Sequence, residues 1–275
     1  MSFALVAIIG ILGGLLGSMV GLGGGVLIVP LLTLSLNVPI HQAIAASLVA
    51  VVATSTSAAI GYVRDEFSNM RLGMTLETTT TLGAVTGGLA AASFNREMLM
   101  GIFGAALILA AAYLFYGRGR LEEHPLQDAP PGPFDGRYMD PYLKREVRYQ
   151  VRRLPLGLAA SLAAGSLSGL LGIGGGPIKV PVMVVAMGIP MKAAAATSNF
   201  MIGVTACASA YIYYARGMVN PMVAIPVALG ATAGALAGSR LAPKVRGTYL
   251  TAALAAVLLM LSIQMLLAAF GLRLY

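Results

Sequence analysis

Apolar residues run through this chain in eight long blocks, four in each half, and polar positions gather in one segment between them. The first-half blocks span roughly 3–36, 39–63, 72–94 and 97–116; the second-half blocks span roughly 155–187, 190–214, 221–239 and 248–270. A helix needs about 20 apolar residues to cross the hydrocarbon core of a bilayer. Three blocks in each half fit one crossing each. The first block of each half is too long for one straight crossing, and a glycine cluster interrupts it. These clusters are Gly21-Leu22-Gly23-Gly24-Gly25, ahead of Pro30, and Gly172-Ile173-Gly174-Gly175-Gly176, ahead of Pro181. The stretch after the first break, Val26 to Leu36, has 11 residues. That is about 16 Å of helix against a core of about 30 Å. It reads as a half-helix, either continuing a broken helix or forming a re-entrant arm. The pattern predicts an all-α polytopic membrane protein. Residues 1–116 form a first transmembrane repeat of about four helices, 117–153 a charged connector, and 154–275 a second repeat of the same kind.

The halves align without a gap at an offset of 151 residues. Over 14–62 against 165–213, 15 of 49 positions are identical. They include Pro30/Pro181, Pro39/Pro190, Ala43/Ala194, Ala45/Ala196, Ser47/Ser198, Thr54/Thr205 and Tyr62/Tyr213, and the same offset later pairs Asn69/Asn220, Gly83/Gly234 and Gly87/Gly238. A composition rich in Ala, Gly and Leu raises chance identity, but prolines and polar residues kept in one register point to a duplication. Repeats around a shared site are a common transporter plan.

Composition strengthens the membrane reading. Hydrophobic residues make up 58% of the chain and charged residues only 10%, against roughly 25% charged in a soluble domain. The stretch 117–153 alone holds 14 of the charges. The net charge of +8 is therefore no nucleic-acid footprint; basic residues flanking membrane helices give the same total. Leu143, Val147, Val151 and Leu154 fall at helical spacing, with Lys144, Arg145, Arg148, Arg152 and Arg153 on other faces. They suggest either a basic helix on an anionic membrane surface or a solvated connector. With four crossings per half, one side carries twelve basic residues, counting the connector, and the other five. The positive-inside rule then puts both termini and the connector in the cytoplasm. Met1-Ser2-Phe3-Ala4 lacks a basic n-region and leads into a first membrane helix, not a cleaved signal. The single Cys207 excludes an intramolecular disulfide and reads as a small packing residue.

Candidate chemistry starts at the breaks. Glycines allow close approach to a ligand. A helix restarting after a break leaves N–H groups without partners, and these suit an anion. The assigned residues are Gly21, Gly23, Gly24, Gly25, Gly172, Gly174, Gly175 and Gly176. Gly13-x-x-x-Gly17-x-x-x-Gly21 and Gly230-x-x-x-Gly234-x-x-x-Gly238 are better explained as helix packing. Lys179 lies three positions past the second break inside an apolar segment, where its repeat mate is Ile28. A lysine there is expensive and is expected to serve function. Ser47, and Thr197-Ser198-Asn199, lie about 12 Å into the next helix and offer donors to an oxyanion. Glu77 is a candidate proton carrier, although its closeness to a helix end also fits a plain interfacial carboxylate. His41 and Lys192 are repeat mates near helix starts and fit an interface. A dinucleotide fingerprint is rejected, since no Asp or Glu lies between Met1 and Arg64. The two histidines share no metal spacing, no P-loop is present, and no carboxylate pair lies within an apolar segment, so neither enzyme, metal nor cofactor is expected.

The duplicated GxGGG-x4-P unit, with Ala45-Ala46-Ser47 and Ala196-Thr197-Ser198-Asn199 at matching distances, resembles the sulfite exporter TauE/SafE family of membrane permeases. The resemblance covers nearly the whole chain outside the connector, which is longer and more charged than it leads one to expect. It implies transport of small anions, often sulfur-containing, such as sulfite or organosulfonates, in a bacterial plasma membrane. Carried over by motif are Gly21, Gly23 to Gly25, Pro30, Ser47, Gly172, Gly174 to Gly176, Pro181, Thr197, Ser198 and Asn199. The resulting expectation is a secondary transporter working by alternating access, with an anion channel as the alternative. Its partners are a small anion and the lipid bilayer, without nucleic acid; a homo-oligomer is left open.

Overall fold

A computed structural model describes residues 3–64, 67–116, 132–140, 145–241 and 247–271. The described residues are mostly helix. In the first half the helices are α1 (Phe3–Val20), α2 (Gly25–Ser35), α3 (Ile40–Arg64), α4 (Met70–Ala90) and α5 (Arg96–Tyr116). In the second half they are α6 (Leu154–Leu171), α7 (Gly176–Pro181), α8 (Met191–Ala215), α9 (Pro221–Leu241) and α10 (Gly247–Ala269). A π-turn, Val182–Ala186, extends α7 to the length of α2. Among the described residues, α1, α3, α6, α8 and α9 are long and apolar enough to cross a membrane. Asparagines start two of the helices: Asn69 Oδ1 accepts from the Leu72 N–H, and Asn95 Oδ1 accepts from the Met98 N–H.

At each break the chain turns back on itself. Gly17 abuts Gly24, and Gly13 abuts both Gly24 and the Ile28 side chain, so α2 folds back along α1. Gly175 lies against the Ala164 carbonyl in the same way. Of the two readings the half-helix allowed, the re-entrant arm is the one seen. Positive φ at Gly21 and Gly23, and at Gly172, Gly174 and Gly175, makes these reversals possible.

The long helices pair across the halves. α1 packs on α9 and α6 packs on α4, while α3 and α8 pack on each other between these pairs, and α5 lies against α10. Glycine sets the closeness. A Cβ on Gly83 or Gly87 would overlap the Leu162 or Ser166 carbonyl, and one on Gly234 or Gly238 would overlap Ile11 or Leu15. These two sets of contacts are related by the 151-residue offset. The small-residue packing expected of Gly13, Gly17 and Gly230–Gly238 is thus present. Without a hydrophobic force between helices in lipid, such backbone approach supplies the packing energy.

The connector differs from one of its two readings. Its described part is a hairpin, β1 (Gly136–Asp140) and β2 (Arg145–Tyr149), antiparallel with Tyr138 opposite Val147. No helix forms at 145–149. Residues four apart share a face in both a helix and a strand, so Val147 and Val151 fit either period. Tyr138 and Tyr149 are buried, and the Phe67 and Tyr138 rings sit 5.2 Å apart. Asn69 Nδ2 donates to the Phe134 carbonyl at 2.7 Å and to the Tyr149 hydroxyl at 3.3 Å, and the Arg152 N–H donates to Met187 O at 3.1 Å. Burial pushes the Tyr149 phenol above its ordinary range, so it stays protonated. The hairpin is therefore strapped over the α3–α4 turn and the end of the π-turn. Leu143, Lys144, His124 and most of the Pro-rich stretch lie outside the described residues. Cys207 is exposed on α8 and is not a core packing residue, because its side of the helix faces away from α3 and α4.

Gly87→Val should lower the thermal unfolding temperature in detergent by several degrees, since overpacking costs about 1–3 kcal/mol. Gly101→Ala, inside α5 with nothing within 4 Å of the new Cβ, should keep or slightly raise it, since Ala favours a helix over Gly.

Candidate functional site

The two breaks meet. A Cβ on Gly25 would overlap the Gly172 carbonyl, and one on Gly176 would lie 2.6 Å from the Gly21 carbonyl. Ser47 Oγ donates to Gly172 O at 2.9 Å and also reaches Ile44 O, while its mate Ser198 donates to Gly21 O at 2.9 Å. Asn199 Nδ2 donates to Ser18 O at 3.0 Å. Ser55 Oγ donates to Asn199 O. The carbonyls exposed by each reversal are thus taken up by hydroxyls from the helix that follows the other break. Gly23 and Gly174 both face the Ile202 side chain.

The amides are left differently. Around the first break, the N–H groups of Gly21, Leu22, Leu27 and Ile28 reach carbonyls; around the second, those of Gly172, Ile178 and Lys179 do. The N–H groups of Gly23 to Val26, and of Ile173 to Gly176, find no acceptor among the described residues. Orphaned buried N–H groups are rare in folded proteins and call for an acceptor. Both breaks therefore present several donors within one packed region.

Thr197 is placed apart from these donors. Its hydroxyl accepts from the Asn69 N–H at 2.9 Å and pins the start of α4. Gly24 packs against Gly13 with ordinary helical φ, whereas its mate Gly175 is left-handed.

Lys179 is 2% exposed and Glu77 is 5% exposed. Lys179 Nζ lies 3.7 Å from Glu77 Oε2. The lysine stem runs back along its own helix, so that Cε would touch a Cβ on Gly175. The other carboxylate oxygen, Oε1, accepts from Thr205 Oγ1 and, at 3.1 Å, from Thr81 Oγ1. Neither Oε2 nor Nζ makes a hydrogen bond. The sequence marked both residues singly but not as partners, because 102 residues separate them. One signal was available: their repeat mates, Ile28 and Ala228, are both apolar, so both depart from the repeat in the same sense.

His41 and Arg96 line a cavity of about 240 Å³ with Asn37, Val38, Pro39 and Ile40 at the α2–α3 turn. Lys192 stands at the equivalent place on α8.

A bundle of apolar helices with two re-entrant arms meeting at polar breaks is the architecture of a multi-pass membrane protein. Family comparison is specific about which one. A sequence model of the family "Sulfite exporter TauE/SafE" matches residues 6–265, and the chain belongs to that family. Among its relatives is a probable membrane transporter protein, YunE, of Bacillus subtilis (strain 168), 28% identical over 97% of this chain and 98% of the relative. A second from that organism, YdhB, is 25% identical over 90% of this chain and 96% of its own length. A probable membrane transporter protein of Xylella fastidiosa (strain 9a5c) is 28% identical over 84% of this chain and 83% of its own length. No solved structure matches the chain.

Ser47→Ala and Ser198→Ala should each destabilise the protein by about 1–3 kcal/mol by orphaning a buried carbonyl, read from thermal unfolding in detergent. The two effects should be similar in size.

Proposed function

We propose that this protein is a secondary transporter that moves a small anion across the plasma membrane by alternating access. The substrate class is sulfite, an organosulfonate, or a related sulfur-containing or carboxylate anion. One observation carries the reading: unpaired amides from two breaks lie together, with a buried lysine one turn beyond one of them. Helix N-termini and their free N–H groups favour anions. A lysine inside an apolar bundle is costly unless it serves a charge.

The residues divide into two roles. The amides at Gly23–Gly25 and Gly174–Gly176, with Lys179, bind the anion. Ser47, Ser198 and Asn199 hold the carbonyls of the breaks and so set the direction of the amides. With the breaks in backbone contact and Ile202 against both, the structure is read as an occluded conformation. Alternating access then parts them. The units that move are the two most closely packed helix pairs, α1 with α9 and α4 with α6, on either side of the central α3 and α8. They are not the two halves of the sequence. The excess of basic residues around the connector supports a cytoplasmic location for it and for the termini. The relatives' names, as probable membrane transporters, support transport without naming the anion.

Counterflow in proteoliposomes tests this directly. With sulfite, methanesulfonate and acetate as probes, unlabelled anion inside should accelerate uptake of at least one labelled anion from outside. Saturable trans-stimulation supports the transporter; flux without it means a channel, and no protein-dependent flux overturns the reading. Lys179→Ala should raise the half-saturation concentration at least about tenfold, a loss of roughly 1.4 kcal/mol. Lys192→Ala should change it less than about twofold, and equal small effects would remove Lys179 from the site.

A further inference from the structure

We propose that Glu77 is the resident counter-anion of Lys179, that the transported anion displaces it, and that the released carboxylate takes up one proton. This rests on the transport reading above and adds to it a coupling ion and a substrate charge.

Three observations carry it. The pair is in contact but not locked. At 3.7 Å the ammonium and Oε2 are too far apart for a hydrogen bond, and neither has another partner. Glu77 is instead held through Oε1, by Thr205 and Thr81. Its contact with Lys179 is through charge alone, without a hydrogen bond to fix it, and is the one another anion can replace. Second, the fold does not require the pair. The same helices in the other half carry Ile28 and Ala228 at the matching positions, and Ile28 is fully buried there. Apolar packing at such a site is generally as stable as an ion pair or more so. Third, the pair adjoins the free amides, because Lys179 lies in the first turn after the second break and its stem folds back over Gly175.

Charge balance fixes the stoichiometry. In the proposed resting state the pair is ionised, Lys179 at +1 and Glu77 at −1, each charge stabilised by the other. When a monoanion takes the place beside Nζ, a proton from water bonds to the Glu77 carboxylate and makes it a neutral carboxyl. The site is neutral before and after, as a low-dielectric interior requires. A dianion would strand one negative charge. The substrate is therefore a monoanion, moved with one proton.

The groups around the pair leave this assignment to Glu77. Lys179 is the charged group acting on Glu77, and Glu77 the one acting on Lys179. The α6 helix, packed on α4, carries no titratable side chain. On α8, which faces the carboxylate through Thr205, the titratable groups are Lys192 in the first turn, Cys207 on the exposed face, and Tyr211, Tyr213 and Tyr214 near the far end. On α5, the charged residues are Arg96 and Glu97, both in the first turn. Arg71 is exposed near the start of α4.

Methanesulfonate, a monoanion at all working pH, and sulfate, a dianion, are the probes. Purified wild-type protein in weak buffer with a pH indicator should take up about one proton per methanesulfonate bound at pH values where Glu77 is ionised. In proteoliposomes, the half-saturation concentration for methanesulfonate counterflow should rise about tenfold per pH unit in that range. Glu77→Gln, which mimics the protonated carboxyl, should remove that slope and bind more tightly than wild type at high pH. Sulfate should exchange at least tenfold more weakly. Methanesulfonate exchange without proton uptake, a Glu77→Gln variant that keeps the slope, or equal exchange of sulfate would overturn the displacement mechanism alone. If Glu77→Gln does not fold, the wild-type proton count decides by itself. Absence of any anion exchange by the wild type would overturn the transport reading and this mechanism with it.

Discussion

Everything in this structure depends on two broken helices placing their backbones against each other. A helix break inside an apolar bundle exposes carbonyls and amides that lipid cannot satisfy. Here the carbonyls of Gly21 and Gly172 are taken by Ser198 and Ser47, each from the opposite half. Contact close enough for this needs Gly25 and Gly176 at the crossing, because a Cβ at either would strike the other break. The exchange is reciprocal, so neither break is satisfied without the other. What remains without an acceptor among the described residues is a set of backbone donors at both breaks, and free N–H groups at helix starts favour negative charge in general.

The same closeness governs the helices behind the breaks. Gly83 and Gly87 receive α6, and Gly234 and Gly238 receive α1. Each half therefore lends its first helix to the other. A rocking motion of sequence halves would pull these pairs apart along their whole length. A motion that keeps α1 with α9, and α4 with α6, leaves these glycine contacts intact.

Symmetry supplies the frame, and two residues depart from it. Lys179 and Glu77 stand where the other half has Ile28 and Ala228, and they find each other. A buried ion pair gains little stability over apolar packing, since desolvation offsets the attraction. Its presence on one side only is hard to explain by folding and easy to explain by a requirement for charge.

Much of the architecture was legible in the order of residues. Apolar blocks located the helices within a few residues, glycine and proline located the breaks, and the offset of 151 paired them, because each signal is local or repeats at a fixed distance. The connector allowed two readings, a basic helix or a solvated segment, because a spacing of four suits both helix and strand; packing of Tyr138 and Tyr149 at the α3–α4 turn decided for a hairpin. Lys179 and Glu77 were each visible as charges in apolar surroundings. That they form one pair, that Ser47 and Ser198 hold backbone carbonyls, and that the arms fold back instead of continuing were decided only in three dimensions. Sequence records which groups need partners, whereas the choice of partner depends on which helices the glycines allow to come close.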